Sequence, residues 1–161
     1  MFENQMINWY DDDKLAIFFN GYPAVGIRYI TPSMSDELKK SVEKYPFICK
    51  KDLKVAIFDK SNKDEWKKYC FTIPKGYCYD GASIPRPFWV LVGANTDNKF
   101  LIPALIHDVL CENHQYINND KSLSTNVFNA LLLAGDVGPV KRCLMKNSVA
   151  CFQTLFCGWG K

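Results

Sequence analysis

The chain has 161 residues, of which 48% are hydrophobic and 14% aromatic, and its formal net charge is +3. This composition excludes a mostly disordered chain and predicts a single domain, residues 1–161, with a hydrophobic core. The charge is too small for the positive field of a dedicated nucleic-acid binder, so we expect no nucleic-acid partner.

Membrane insertion and secretion are not expected either. No run reaches the roughly 20 apolar residues that a membrane-spanning helix needs. The start, residues 1–14, has neither a basic region nor an apolar stretch, so we predict no signal peptide. The seven cysteines include no Cys-x-x-Cys pair, which excludes zinc-ribbon and thioredoxin-like motifs. We expect reduced, mostly buried thiols, with a disulfide framework as the alternative.

The first half of the chain reads as strands. The apolar run at 15–19 predicts a strand, stopped by an Asn-Gly turn at 20–21, with residues 24–30 as its partner. A short helix is expected between Ser35, which can cap it, and Pro46, which ends it. Residues 53–73 then predict a hairpin, because apolar side chains alternate along 53–57 and return in 68–73 after a polar turn.

The second half reads as helices. Pro103 suits the first position of a helix that runs to about Asn113. Ser122 or Ser124 could cap a second helix that ends at Gly135. Pro139 opens a third helix. Strands followed by helices predict an α+β fold, with antiparallel N-terminal strands or hairpins packed against C-terminal helices.

The loop from 74 to 87 combines special backbone geometry with one carboxylate. Glycines at 76 and 81 permit positive φ, and prolines at 74, 85 and 87 fix their own φ. Asp80 and Ser83 are three residues apart, so either side chain could bond nearby backbone amides and stiffen the loop. The alternative for Asp80 is a metal ligand or a carboxylate that orients a histidine.

The two histidines of the chain lie in the first predicted long helix. His107, Cys111 and His114 occupy positions i, i+4 and i+7 of one face, so the three side chains could hold a zinc ion. The alternative is that His107 is a core histidine bonded to a backbone carbonyl. Asp108, the next residue, could form a purely structural salt link with Arg86.

These residues define the candidate site. We predict Asp80, His107 and Asp108 as catalytic candidates, Ser83 and Arg86 as binding residues, and His107, Cys111 and His114 as the metal set. A triad of Ser83, His107 and Asp80 lacks the Gly-x-Ser-x-Gly elbow, and no phosphate-binding or dinucleotide-binding loop is present. We predict no cofactor other than a divalent metal such as zinc.

The motifs resemble an uncharacterised family of tailed bacteriophages and prophages, the domain of unknown function numbered thirteen fifty-three. The matching segments are residues 71–77, the Asp-Gly-Ala-Ser-Ile-Pro-Arg run at 80–86, Trp89, and residues 104–108 with the His-Asp pair. Their order and spacing agree over residues 68–134. The resemblance implies a phage origin, and the family brings no established activity.

The chain departs from the family pattern at two places. Cys111 stands where the family commonly has an aromatic residue, and Thr125 and Asn126 stand where the next helix commonly carries an acid. Asp120 is the nearest acid. A hydrolytic or metal centre that needs the third carboxylate would be incomplete here.

Enzymatic and structural roles both remain open. The first expectation is a virion-associated structural component of a phage, from the tail, neck or capsid, that contacts other virion proteins or itself. The alternative is a small phage hydrolase with a His/Asp or metal-assisted centre and water as nucleophile. The third is a host-takeover protein that binds a bacterial factor. The expected location is the virion or the host cytoplasm.

Overall fold

The computed structural model describes residues 6–81 and 98–156 and has strands in its first half and helices in its second. This confirms the α+β class. The strands are β1 (Ile7–Asp11), β2 (Leu15–Phe19), β3 (Val25–Ile27), β4 (Phe47–Cys49), β5 (Leu53–Asp59), β6 (Lys67–Ile73) and β7 (Cys78–Tyr79). The helices are α1 (Asp36–Lys44), α2 (Asn98–Glu112), α3 (Lys121–Ala134) and α4 (Pro139–Phe156), with a 3-10 helix at His114–Ile117.

The strands form two antiparallel sheets. The larger sheet has the order β1-β2-β5-β6 and the smaller one β3-β4-β7. The predicted hairpin at 53–73 is confirmed, because β5 pairs with β6 from Leu53 opposite Ile73 to Asp59 opposite Lys67. Alternate residues of β6 are buried and exposed, as expected when one face of a sheet packs on the core.

The predicted partner of β2 is wrong. β3 pairs with β4, with Val25 opposite Cys49, while β2 lies between β1 and β5. The Asn-Gly pair at 20–21 therefore leads the chain from one sheet to the other instead of closing a hairpin. β1 was not expected from the sequence, since its residues alternate poorly and its last residue is Asp11.

Helix boundaries agree with the sequence except at two starts. Ser35 caps α1 as predicted, and its hydroxyl accepts the amide of Leu38. α2 begins at Asn98, so Pro103 lies inside the helix, where burial of the flanking apolar side chains offsets the lost hydrogen bond. α3 is capped by Asp120 rather than by a serine, because its carboxylate accepts the amide of Leu123 at 2.8 Å.

The core joins both halves of the chain. Side chains such as Ile17 and Ile57 of the larger sheet, Leu105 of α2 and Phe128 of α3 are completely buried. None of the six cysteines in the described part forms a disulfide, and of these six only Cys49 is buried, so the expectation of mostly buried thiols is wrong. Within the described residues, no helix is both long and apolar enough to cross a membrane.

Candidate functional site

His107 lies in the middle of α2 and faces α3. Its residue exposure is 2%, and its ring meets that of Phe128 edge to face with centroids 5.3 Å apart. The thiol of Cys111, one turn later, lies 3.5 Å from Nε2. Within the described residues, the imidazole therefore contacts a sulfur and an aromatic ring.

Gln153 of α4 extends this contact into a network across three helices. Its side-chain amide donates to Ser124 Oγ at 2.8 Å and approaches Cys111 Sγ at 3.7 Å. Its carbonyl oxygen accepts the hydroxyl of Thr125 at 2.9 Å. Gln153 and Ser124 are completely buried. We call these five residues, His107, Cys111, Ser124, Thr125 and Gln153, the helical polar cluster.

Burial decides the charge of His107. It lowers the pKa of the imidazole to about 4, so the ring is neutral near pH 7. Asp108 Oδ1 lies 3.5 Å from Nδ1, yet the desolvation of the ring outweighs this carboxylate. The contact therefore joins a carboxylate to a neutral imidazole and is not a salt bridge.

Three carboxylates, those of Glu112, Asp108 and Asp80, lie near the phenol of Tyr77. Its hydroxyl donates to Glu112 Oε2 at 2.7 Å. Burial raises the pKa of Tyr77, and the hydrogen bond to Glu112 and the charges of Glu112, Asp108 and Asp80 raise it further. Asp80 and Asp108 thus lie near one phenol. Asp80 itself is exposed, and no hydrogen bond or ion pair joins it to His107 within the described residues.

The backbone before Asp80 behaves as the sequence predicts. Gly76 has φ +90°, which a side chain would strain, and Gly81 has φ +86°. Between them β7 pairs with β4, so Asp80 leaves the smaller sheet directly after its last strand. Ser83 and Arg86, the predicted binding residues, lie outside the described residues, and so does the salt link proposed for Arg86.

The helical face assumed for the metal set does not extend to His114. α2 ends at Glu112, and His114 begins the 3-10 helix, where its Nδ1 contacts Asn119 Oδ1. In residues 6–81 and 98–156, no three side chains of His, Cys, Asp or Glu converge in a way that could hold a metal ion. His107 and Cys111 lie together, and the described residues add no third ligand to them.

Gln153 and Tyr77 were missed from the sequence. A signal for Gln153 exists, because it follows the buried Met145 and Val149 at intervals of four along α4. A glutamine at a core position needs buried partners. Nothing local indicates that Tyr77 pairs with Glu112, since 35 residues separate them.

Comparisons with known proteins agree with these motifs. The family model described as protein of unknown function (DUF1353) matches residues 56–149, which include Asp80 and the whole of α2 and α3. The uncharacterized protein y4jT of Sinorhizobium fredii (strain NBRC 101917 / NGR234) is 38% identical over 55 residues. That match covers 34% of this chain and 15% of y4jT, so the chain spans only a small part of this relative.

No solved structure matches the chain. The match to the family model covers more than half of the 161 residues and contains the polar positions from Asp80 to Thr125. The chain therefore belongs to the DUF1353 family of proteins of unknown function.

Proposed function

We propose that this protein is a non-catalytic, virion-associated component of a bacteriophage, in which the helical polar cluster fixes the packing of three helices. The observation that carries the proposal is the 2% exposure of His107. A residue that acts on a substrate has to reach it, whereas a residue that locks helices together is buried with its partners.

The acid-base properties of His107 agree with a structural role. A general base works best when its pKa is near the working pH. Burial lowers the pKa of His107 to about 4, from 6.5 in water. Holding the proton of a substrate on this imidazole would therefore cost roughly 3 kcal/mol more than on a solvated histidine.

The substitution of the third acid agrees with it too. Thr125 and Asn126 stand where the family commonly has an acid, and Thr125 donates its hydroxyl to Gln153. Neither a hydroxyl nor an amide side chain can carry a negative charge or accept a proton from an imidazolium near pH 7. Neither residue can therefore replace an orienting carboxylate.

The phage and virion parts of the proposal rest on the sequence resemblance. Mass spectrometry of purified particles of the source phage or induced prophage tests them. We expect peptides of this chain at a constant ratio to the major capsid protein across density-gradient fractions. Its absence from particles that contain the other virion proteins would contradict the proposal.

A hydrolase is the second candidate, and the 3.5 Å contact between Cys111 Sγ and His107 Nε2 favours it. In that case the thiol would attack an ester or amide carbonyl, pass its proton to His107, and form a thioester that water hydrolyses. The imidazolium would protonate the departing alcohol or amine.

Iodoacetamide distinguishes the two candidates. The exposed Cys70, Cys143 and Cys151 provide reference alkylation rates in the same sample. We expect Cys111 to react more slowly than these thiols at pH 7, because His107 is a weak base and Cys111 is partly buried. Faster alkylation of Cys111 that is lost in His107→Gln would instead favour the hydrolase.

A further inference from the structure

A second polar region lies on another face of α3, away from the helical polar cluster. Ser122, Asn126 and Asn129 occupy positions i, i+4 and i+7 of this helix and line a cavity of about 440 Å³. Binding sites for small molecules have volumes of roughly 300–1,000 Å³. The cavity lies between α3 and the part of the larger sheet where β1 turns into β2 and β5 ends. We call it the α3 pocket.

The wall opposite α3 is rigid. Asp12 Oδ1 accepts the amides of Lys14 and Leu15 at 2.8 and 2.7 Å, and Oδ2 accepts the hydroxyl of Tyr10 at 2.7 Å. Burial raises the pKa of Tyr10 to about 12, and the hydrogen bond to Asp12 adds to this effect. Tyr10 therefore presents a neutral, fixed ring at one side of the cavity.

The helix side of the α3 pocket carries hydrogen-bonding groups that the protein does not use. Within residues 6–81 and 98–156, the side chains of Ser122, Asn126 and Asn129 make no hydrogen bond to protein. Each amide offers an acceptor oxygen and two N–H donors, and a serine hydroxyl both donates and accepts. A row of three such side chains can bind a ligand whose neighbouring groups both donate and accept hydrogen bonds.

The charges around the pocket nearly balance. Asp12, Asp59 and Asp120 line the cavity with one lysine, Lys14. Two further cations are close, because Lys60 donates to the backbone oxygen of Asp12 at 3.0 Å and the charge of Arg142 reaches Tyr10. With three carboxylates and three cations, neither sign of charge dominates, which favours an uncharged ligand.

We propose that the α3 pocket binds an uncharged saccharide. Sugar hydroxyls both donate and accept, as do the side chains of Ser122, Asn126 and Asn129, and Tyr10 adds an aromatic residue to the lining of the same cavity. The site goes beyond the structural role proposed above and does not depend on whether the protein is part of a virion.

Titration of the ¹⁵N-labelled full chain with single sugars tests this site. The probes are glucose, galactose, N-acetylglucosamine, maltose and chitobiose, with AMP and inorganic phosphate as anionic probes. We expect at least one sugar to give saturable shifts at the amides of residues 10–15 and 122–130, and neither anion to do so. Asn126→Leu removes an amide and fills space, so it should weaken the binding at least tenfold.

Asn147→Leu is the matched control, because Asn147 is an exposed helical asparagine on α4 outside the pocket. This variant should bind like the wild type. The proposal is overturned if no sugar gives saturable shifts at these amides, if Asn126→Leu binds as well as Asn147→Leu does, or if an anion binds there instead.

Discussion

The polar side chains on the two faces of α3 differ in their hydrogen-bond partners. Ser124 and Thr125 are buried and are bonded to Gln153, within the protein. Ser122 and Asn126 are exposed on the same helix and line the α3 pocket, and their side chains make no hydrogen bond to the described part of the protein. Residue type alone does not distinguish these two sets. The presence of a buried partner does.

Because of this difference, we expect mutations on the two faces to differ in their effect on the free energy of unfolding. Buried polar groups that lose a partner destabilise the fold, because they keep their desolvation penalty and gain nothing in return. Exposed polar groups exchange water for a ligand and contribute little to stability. Stability measurements should therefore respond to one face and binding measurements to the other.

The largest loss is expected for Gln153→Leu. This change leaves Ser124 Oγ, the hydroxyl of Thr125 and the thiol of Cys111 without their partner on α4. We expect the free energy of unfolding, measured in urea, to fall by about 3 to 4 kcal/mol. Asn147→Leu on the same helix should change it by less than about 0.5 kcal/mol. A loss below about 1 kcal/mol for Gln153→Leu would remove the distinction between the two faces.

The pH dependence of stability is the next largest effect. His107 has a folded pKa near 4 and an ordinary value of 6.5, so the unfolded chain binds the proton first on acidification. Its stability contribution is complete above pH 6.5 and is lost as the pH falls to about 4, by roughly 3 kcal/mol.

Urea unfolding between pH 7.5 and 4 measures this loss. Acids such as Asp12, whose pKa is also lowered, add their own dependence, so the wild type is compared with His107→Gln. The variant should lack the part of the slope between pH 6.5 and 4. Identical slopes in the two proteins would mean that His107 is not held neutral by burial.

A double-mutant cycle measures the connection between α3 and α4. Thr125→Val and Gln153→Leu remove the two ends of one buried hydrogen bond. Their combined cost should be about 1 kcal/mol smaller than the sum of the single costs, since the second mutation finds the bond already lost. Asn126→Ala combined with Gln153→Leu should be additive within about 0.5 kcal/mol. Equal coupling in both cycles would contradict the separation of the faces.

The smallest effect is expected on the pocket face. Ser122→Ala, Asn126→Ala and Asn129→Ala should each change the free energy of unfolding by no more than about 0.5 kcal/mol. Alanine is the better helix former, which offsets any small loss. Thermal unfolding followed by circular dichroism is sufficient for this measurement. A loss above about 1 kcal/mol would mean that these side chains have a structural role.

Local sequence signals succeeded where one segment carried all the information. The hairpin at 53–73 follows from its own alternation, and Ser35 caps α1 within one helical turn. The Asp120 cap was missed because three polar residues stand near the start of α3, and all of them can accept a backbone amide. The start of α2 was misplaced because Pro103 is a good first residue, while the apolar residues before it favour extending the helix.

The candidate site was predicted in part for the same reason. Spacing within one helix was enough to bring His107 and Cys111 together. It was not enough for His114, because the helix ends at Glu112. The contribution of Gln153 depends on how α4 crosses α2 and α3, which no local pattern encodes.

The sequence by itself determined the α+β class, the β5–β6 hairpin, the family and the His107–Cys111 pair, because each depends on residues close together in the chain or on a motif. Only the tertiary structure decided that β2 lies between β1 and β5 and that Gln153 joins three helices. It also decided that the polar side chains on one face of α3 bond within the protein, while those on the other face line a pocket. These features depend on contacts between segments that are distant in the chain. The local periodicity of each segment is compatible with many such arrangements, so it does not select one of them.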